Sequence, residues 1–196
     1  MNKDEKIQFI CNELKKFGVS DVRVVAAIIG TANKESGLNP VSETTHKGTL
    51  AQVREWFPPL RNLNDYQVQT LQNDAEAFYN YVYHPSTKVG KNLGNHQEGH
   101  GFKYRGRGLN GITGYEVYKN VGYEDNPDAL MNLTDALIAL IKYYDYLGFY
   151  NKNYPPDTPF INILKDIVYA TGGWSKDKTG KLQLQNLQKI LRIHSK

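Results

Sequence analysis

Residues 22–49 read VRVVAAIIGTANKESGLNPVSETTHKGT, and the way this stretch begins and ends decides the class of fold. Its first half is apolar or small, Ser20 or Asp21 is available as a cap, and Gly37 and Pro40 end the helix after about Ser36. Val25, Ile28, Ala32 and Glu35 fall at steps of three, four and three, so Glu35 continues the apolar stripe and is expected to point inward. It also lies in the last turn, where the macrodipole disfavours a second negative charge. Burial and the dipole together favour the protonated carboxyl, the form a general acid needs. A glutamate at a frayed helix end, reaching into water, is the plainer alternative. Glu43 follows eight positions later, and Gly37 and Pro40 let the chain turn back. Glycoside hydrolysis uses two such carboxyls, about 6.5–9.5 Å apart in an inverting enzyme.

Outward from this stretch the chain reads as helices almost everywhere. Ile7, Ile10, Leu14 and Phe17 recur at helical spacing and stop at Gly18. Another helical stretch begins near Asp65 and carries Leu71, Ala75, Phe78 and Val82 on one stripe before His84-Pro85. Further helices are predicted over 134–147, 158–171 and 181–193. Residues 89–114, dense in glycine, read as an irregular or hairpin segment lying across a surface. There is no repeat, no low-complexity linker and no run of alternating strands, so the class is mainly α and the 196 residues form one domain.

Composition narrows the setting. The chain is 40% hydrophobic and 22% charged, with no apolar run long enough for a bilayer span, so no membrane partner is expected. The opening MNKDEKIQFICNELKKF interrupts its apolar positions with acids and lysines and lacks the features of a signal peptide, which predicts synthesis and folding in a cytoplasm. A single cysteine, Cys11, excludes an intramolecular disulfide and sits on an apolar helix stripe as a core residue. The net charge of +4 suits an anionic partner such as a bacterial wall or a nucleic acid and selects neither.

The second informative stretch is GHGFKYRGRGLNGITG, residues 99–114. Gly106, Gly108 and Gly111 match GxGxxG, yet no buried strand precedes them and no apolar helix opens at the last glycine, which argues against a dinucleotide site. Arginines between glycines in one copy, without flanking basic clusters, are weak grounds for RNA binding. Glycines that bring the backbone close to a flat polar polymer, beside Tyr104, Arg105, Arg107, Asn110 and Thr113, suit sugar rings better.

The run YRGRGLNGITG resembles the YRGRGLIQLTG signature of the family nineteen glycoside hydrolases, the chitinase class whose bacterial and phage branch includes cell-wall-cleaving endolysins. Upstream, AAIIGTANKESGLNPVSET resembles that branch's helix ending in HESGG or ESG, followed by the second glutamate. Downstream, Tyr118 and NPDALMNLTDALIALIKYY resemble the family's tyrosine and its NPDLALDPEIAA helix, and YATGGW resembles the INGG segment. The pieces keep their order over about residues 22–175. The resemblance implies a lysozyme-like, two-lobed α fold with a central cleft and at most a small hairpin. It implies an inverting mechanism with Glu35 as general acid, Glu43 as the base that activates water, and Thr113 holding that water or the substrate. Tyr104, Arg105 and Tyr118 would line the cleft, with Arg107, Asn110 and Thr171 among the sugar contacts. Asn110 lies where the signature has Gln and Thr171 near the Asn of INGG, so those contacts are altered. Lys34 replaces the usual His and favours a charged Glu35 if it folds back.

Glu98, just before the signature, is the alternative base. His96 and His100 are four apart, as zinc ligands on a helix would be, but the order is not HExxH and Gly99 and Gly101 disfavour a helix; no metal or other cofactor is expected. His46, His84 and His194 read as surface or loop residues. Most of the fourteen tyrosines, Tyr143, Tyr144 and Tyr146 included, read as core or boundary residues. The expectation is a monomeric glycosidase acting on the β-1,4 links of peptidoglycan strands. It would be held in a host bacterium's cytoplasm before lysis or carried in a virion. Chitin hydrolysis and a wall-binding module without turnover are the alternatives, and nucleic-acid binding is a distant third.

Overall fold

Residues 1–44 and 46–171 are described by the computed structural model. They form ten α-helices, three short 3-10 turns and one two-stranded antiparallel sheet, a mainly α chain with very little strand. No helix among the described residues is long and apolar enough to cross a membrane. The helix predicted over 181–193 and the end of YATGGW lie outside the described residues.

Helix α1 (Lys3–Lys16) opens on a capping box between Asn2 and Glu5 and buries Ile7, Ile10 and Leu14. Phe17, the last member of the predicted stripe, falls on the C-cap and is exposed, because the stripe outruns the helix by one residue. Helix α2 (Val22–Ser36) takes Asp21 as its cap, whose carboxylate accepts the Arg23 N–H at 2.9 Å. Its run from Val24 to Ala32, buried except for the partly buried Val25, makes it the central helix of the largest apolar cluster. Around it lie α1, α9 (Leu133–Tyr146) and α10 (Phe160–Ala170). Cys11 packs against this cluster, and burial pushes its thiol up to about 11, as for an unreactive core cysteine.

A second cluster collects α3 (Leu50–Trp56), the 3-10 turn Pro58–Asn62, α4 (Asp65–Gln72) and α5 (Ala75–Val82). The single helical stretch expected from Asp65 is two helices. Asp74 breaks it by turning its side chain back to accept the Ala77 N–H at 3.1 Å, which starts α5 afresh. Helix α3 has no counterpart in the sequence reading: it is seven residues long and buries only Val53, so it carries no periodic stripe.

The glycine-rich segment holds α6 (Lys88–Asn92) and α7 (His100–Lys103), and then a hairpin in which Arg107 and Ile112 exchange backbone hydrogen bonds of 3.1 and 2.9 Å. Strand β2 (Arg107–Gly108) pairs with β1 (Val41–Ser42), Ser42 opposite Arg107. A third cluster joins Tyr104 and Ile112 to α8 (Tyr115–Val121), Leu130 and Ala139. The hairpin region meets all three clusters: Leu109 belongs to the first, Ile112 to the third, and Phe102 packs on the second.

Candidate functional site

The chain turns back after α2 through two successive residues of positive φ, Gly37 at 62° and Leu38 at 60°. Glycine adopts that region freely; leucine does so only when its surroundings hold it, and Leu38 is fully buried in the main core. Beyond it Asn39 accepts a 2.7 Å hydrogen bond from the buried Lys6 ammonium, and the chain enters β1. This turn carries Glu43 to the signature stretch.

Glu43 is gripped there on both backbone and side chain. Its N–H donates to the Gly106 carbonyl at 2.8 Å, and the Gly106 N–H donates to Glu43 Oε2 at 2.6 Å. The Tyr83 hydroxyl donates to Oε1 at 3.2 Å, and Arg105 Nε to the Glu43 carbonyl at 3.3 Å. A Cβ on Gly106 would stand 2.9 Å from Glu43 Cδ, so only glycine admits the carboxylate this close.

Glu35 is not where the stripe puts it. The core ends at Ala32, one turn earlier, and the Glu35 side chain is 42% exposed, with Oε1 at 3.2 Å from Lys34 Nζ. A pair this open to water contributes on the order of 0–1 kcal/mol and is readily displaced. In the turn of the hairpin lies a partly buried polar link: Asn110 Nδ2 donates to the Tyr144 hydroxyl at 2.7 Å. Tyr144 is fully buried, and burial above all, with Glu35 as a smaller contributor, pushes its hydroxyl well above the usual tyrosine range. Glu43 is thus tied to the base of the hairpin at Gly106, whereas Glu35 pairs with Lys34 and acts only weakly, through its charge, on Tyr144, the tyrosine that accepts from Asn110.

Several residues expected to line a cleft support the hairpin from inside instead. Tyr104 is 3% exposed, and its hydroxyl donates to the Glu124 carbonyl at 3.0 Å. Tyr118 is fully buried and donates to the Arg105 carbonyl at 2.9 Å. Arg107 is 2% exposed; its Nη1 donates to the Lys103 carbonyl at 2.8 Å and its Nη2 pairs with Asp128 at 2.8 Å. Asn110 turns its amide to Tyr144 rather than outward, and the Thr113 hydroxyl donates to the Gly111 carbonyl within its own turn, at 2.7 Å. Thr171 caps α10 by donating to the Val168 carbonyl. Arg105 alone of the three expected cleft residues, Tyr104, Arg105 and Tyr118, keeps a partly open side chain, stacked 3.9 Å over Phe102 and facing a hollow of about 440 Å³. Glu98 is exposed and has no hydrogen bond or ion pair with the described residues. A larger hollow, about 630 Å³, lies between Pro58 and Val89 and includes neither Glu35 nor Glu43.

Among the described histidines, His46 and His100 are more enclosed than expected; His194 lies outside the described residues. His46 sits among Phe57, Phe78 and Tyr79, with ring centroids 4.6, 5.5 and 5.9 Å away, and its Nε2 is buried without a partner. His96 and His100 meet ring to ring at 4.6 Å, and the buried His100 Nδ1 is also unpartnered. No group of three or more metal-ligating side chains forms among the described residues. Burial holds both His46 and His100 below the ordinary 6.5; Glu43 opposes this at His46, while His96 and Lys103 reinforce it at His100. Because the unfolded chain binds these protons more readily, the stabilisation is fully present above pH 6.5 and is lost as pH falls through the folded-state values. Melting temperatures measured from pH 8 to pH 4 should therefore fall on the acid side, and less steeply in His46→Phe/His100→Phe. An unchanged slope in that double variant would exclude these histidines as the cause.

Tyr83 and Tyr79 are not among the expected functional residues, Tyr144 is expected only in the core or at its boundary, and Gly106 only as one of the glycines that bring the backbone close to a polymer. Gly106 carried a signal, its place inside the signature. The tyrosines carried none, because their partners lie 34 to 40 residues away along the chain. Compared with models of known protein families the chain matches none, and no curated protein matches it.

Proposed function

We propose that the protein is a glycoside hydrolase that cleaves β-1,4 linkages of bacterial peptidoglycan, with a phage or prophage lysis protein as its setting. Glu35 delivers a proton to the leaving glycosidic oxygen. Glu43 takes a proton from a water molecule, whose oxygen attacks the anomeric carbon as the bond from that carbon to the leaving oxygen breaks. One water is consumed and the configuration inverts. The lysozyme-like, two-lobed arrangement implied by the resemblance belongs to the same proposal.

The observation that carries this reading is the contrast between two carboxylates, one fixed against the glycine-rich hairpin and one open at the end of a helix. Glu43 is anchored through both oxygens, by Gly106 and Tyr83, while Glu35 stands open to solvent at the end of α2 beside a displaceable lysine. An anchored, acceptor-only carboxylate suits a base, and an accessible carboxyl suits an acid that must reach a bulky polymer. The test is reducing-end release from purified peptidoglycan and, in parallel, from chitin oligomers. Release from peptidoglycan with inverted product anomers is expected. Release from chitin alone would move the substrate to that polymer, and a folded protein that sediments with cell walls yet releases nothing would replace the enzyme by a binding module.

A further inference from the structure

We infer that Tyr83 is a positioning residue for Glu43, holding the carboxylate at the rotation its partner water requires; the inference rests on the hydrolase reading above. A glutamate's last torsion is broad and nearly free, so a carboxylate held at one oxygen can still swing. Here the two oxygens are held from separate elements: Oε2 by the Gly106 N–H at the sheet, Oε1 by the Tyr83 hydroxyl just past α5. Together they fix the plane of the group.

The surroundings of Tyr83 are built to keep that hydroxyl in place. The residue is 8% exposed, with its ring 5.5 Å from Tyr79 and 6.4 Å from Phe57. Its carbonyl accepts from Asn95 Nδ2 at 2.9 Å, and Asn95, itself 4% exposed, also accepts the Tyr115 N–H at 3.1 Å. Gly90 lies so near that a Cβ there would be 2.5 Å from the Tyr83 carbonyl oxygen, and one on Gly101 would be 2.2 Å from that of Tyr79. The end of α5 is thereby locked to the segment that leads into Gly106. Tyr79, one turn earlier, grips the backbone beside the glutamate by donating to the Thr44 carbonyl at 2.6 Å.

The chemistry of the hydroxyl points the same way. Burial, and then the charge of Glu43, push it far above the usual tyrosine range, so it stays an O–H donor. Among the described residues its hydrogen-bond partner is Glu43 alone. A phenylalanine would fill the same aromatic stack without a polar atom to satisfy, so the fold itself has no need of the oxygen.

The experiment is Tyr83→Phe beside wild type on peptidoglycan, with kcat, KM and the melting temperature measured together. We expect kcat to fall by about tenfold to a hundredfold, the range that small misplacement of a reacting group produces. KM should stay within about twofold and the melting temperature within a few degrees, since ring and packing are retained. A variant with wild-type kcat overturns the proposal while leaving the hydrolase reading intact. A variant that loses melting temperature and KM along with kcat also overturns it, since that pattern belongs to a structural residue. A wild type that releases no reducing ends defeats the hydrolase reading, and the role of Tyr83 with it.

Discussion

Glu43→Gln should fold like the wild type and release reducing ends from peptidoglycan more slowly by about a hundredfold to ten-thousandfold, the contribution typical of a general acid or base. The amide keeps the shape of the carboxylate. Its oxygen can still accept the Gly106 N–H, now 2.6 Å from Oε2, and its NH₂ can donate to the Tyr83 hydroxyl, now 3.2 Å from Oε1. What it loses is the ability to take a proton from water. Glu35→Gln should fall by a similar factor for the opposite reason, having no proton to give, and its exposed position makes a folding defect an unconvincing explanation. Glu98→Gln is the internal comparison. Its side chain is exposed and unengaged by the described residues, so its activity should match the wild type. A Glu43→Gln protein that keeps its rate while Glu98→Gln loses it would transfer the base's role to Glu98.

Arg107→Ala should lose stability rather than substrate affinity. Inside the protein, Nη1 of this guanidinium donates to the Lys103 carbonyl at 2.8 Å, the Arg105 carbonyl at 3.3 Å and the Tyr118 hydroxyl at 3.3 Å. Alanine leaves a cavity and removes the donor from one buried and two partly buried acceptors, where an orphaned buried group costs about 1–3 kcal/mol and a partly buried one less. The Arg105 carbonyl keeps the Tyr118 hydroxyl as a donor, which limits the damage. The Asp128 pair adds little, because that aspartate is 76% exposed. A net loss of about 3 kcal/mol is expected, seen as a melting temperature lower by about 10 °C for a chain of this size. If the melting temperature holds and KM rises instead, Arg107 is a substrate contact after all and the buried network is dispensable.

The fates of Arg107 and Glu35 mark where sequence reasoning stops. Helical periodicity identified α1, α2, α9 and α10 because each buries a long face against the others, and burial of a face is what writes a repeat into a sequence. It overlooked α3 and joined α4 to α5, since short helices held by capping side chains such as Thr49 and Asp74 write no such repeat. The same periodicity misjudged Glu35. A stripe gives the direction in which a side chain leaves its helix, but not whether neighbouring elements still cover that face one turn later.

Residue types alone determined the mainly α class, the turn at Gly37 that returns the chain, the two candidate glutamates and the glycine-rich stretch where a backbone is closely approached. Tertiary structure decided which groups meet. It set Glu43 between Gly106 and Tyr83, drew Tyr104, Arg107 and Tyr118 into the interior, and enclosed His46 in an aromatic cluster. The physical reason is that a hydrogen bond between residues 40 positions or more apart depends on the packing of every helix between them. No local pattern of residues encodes that distance.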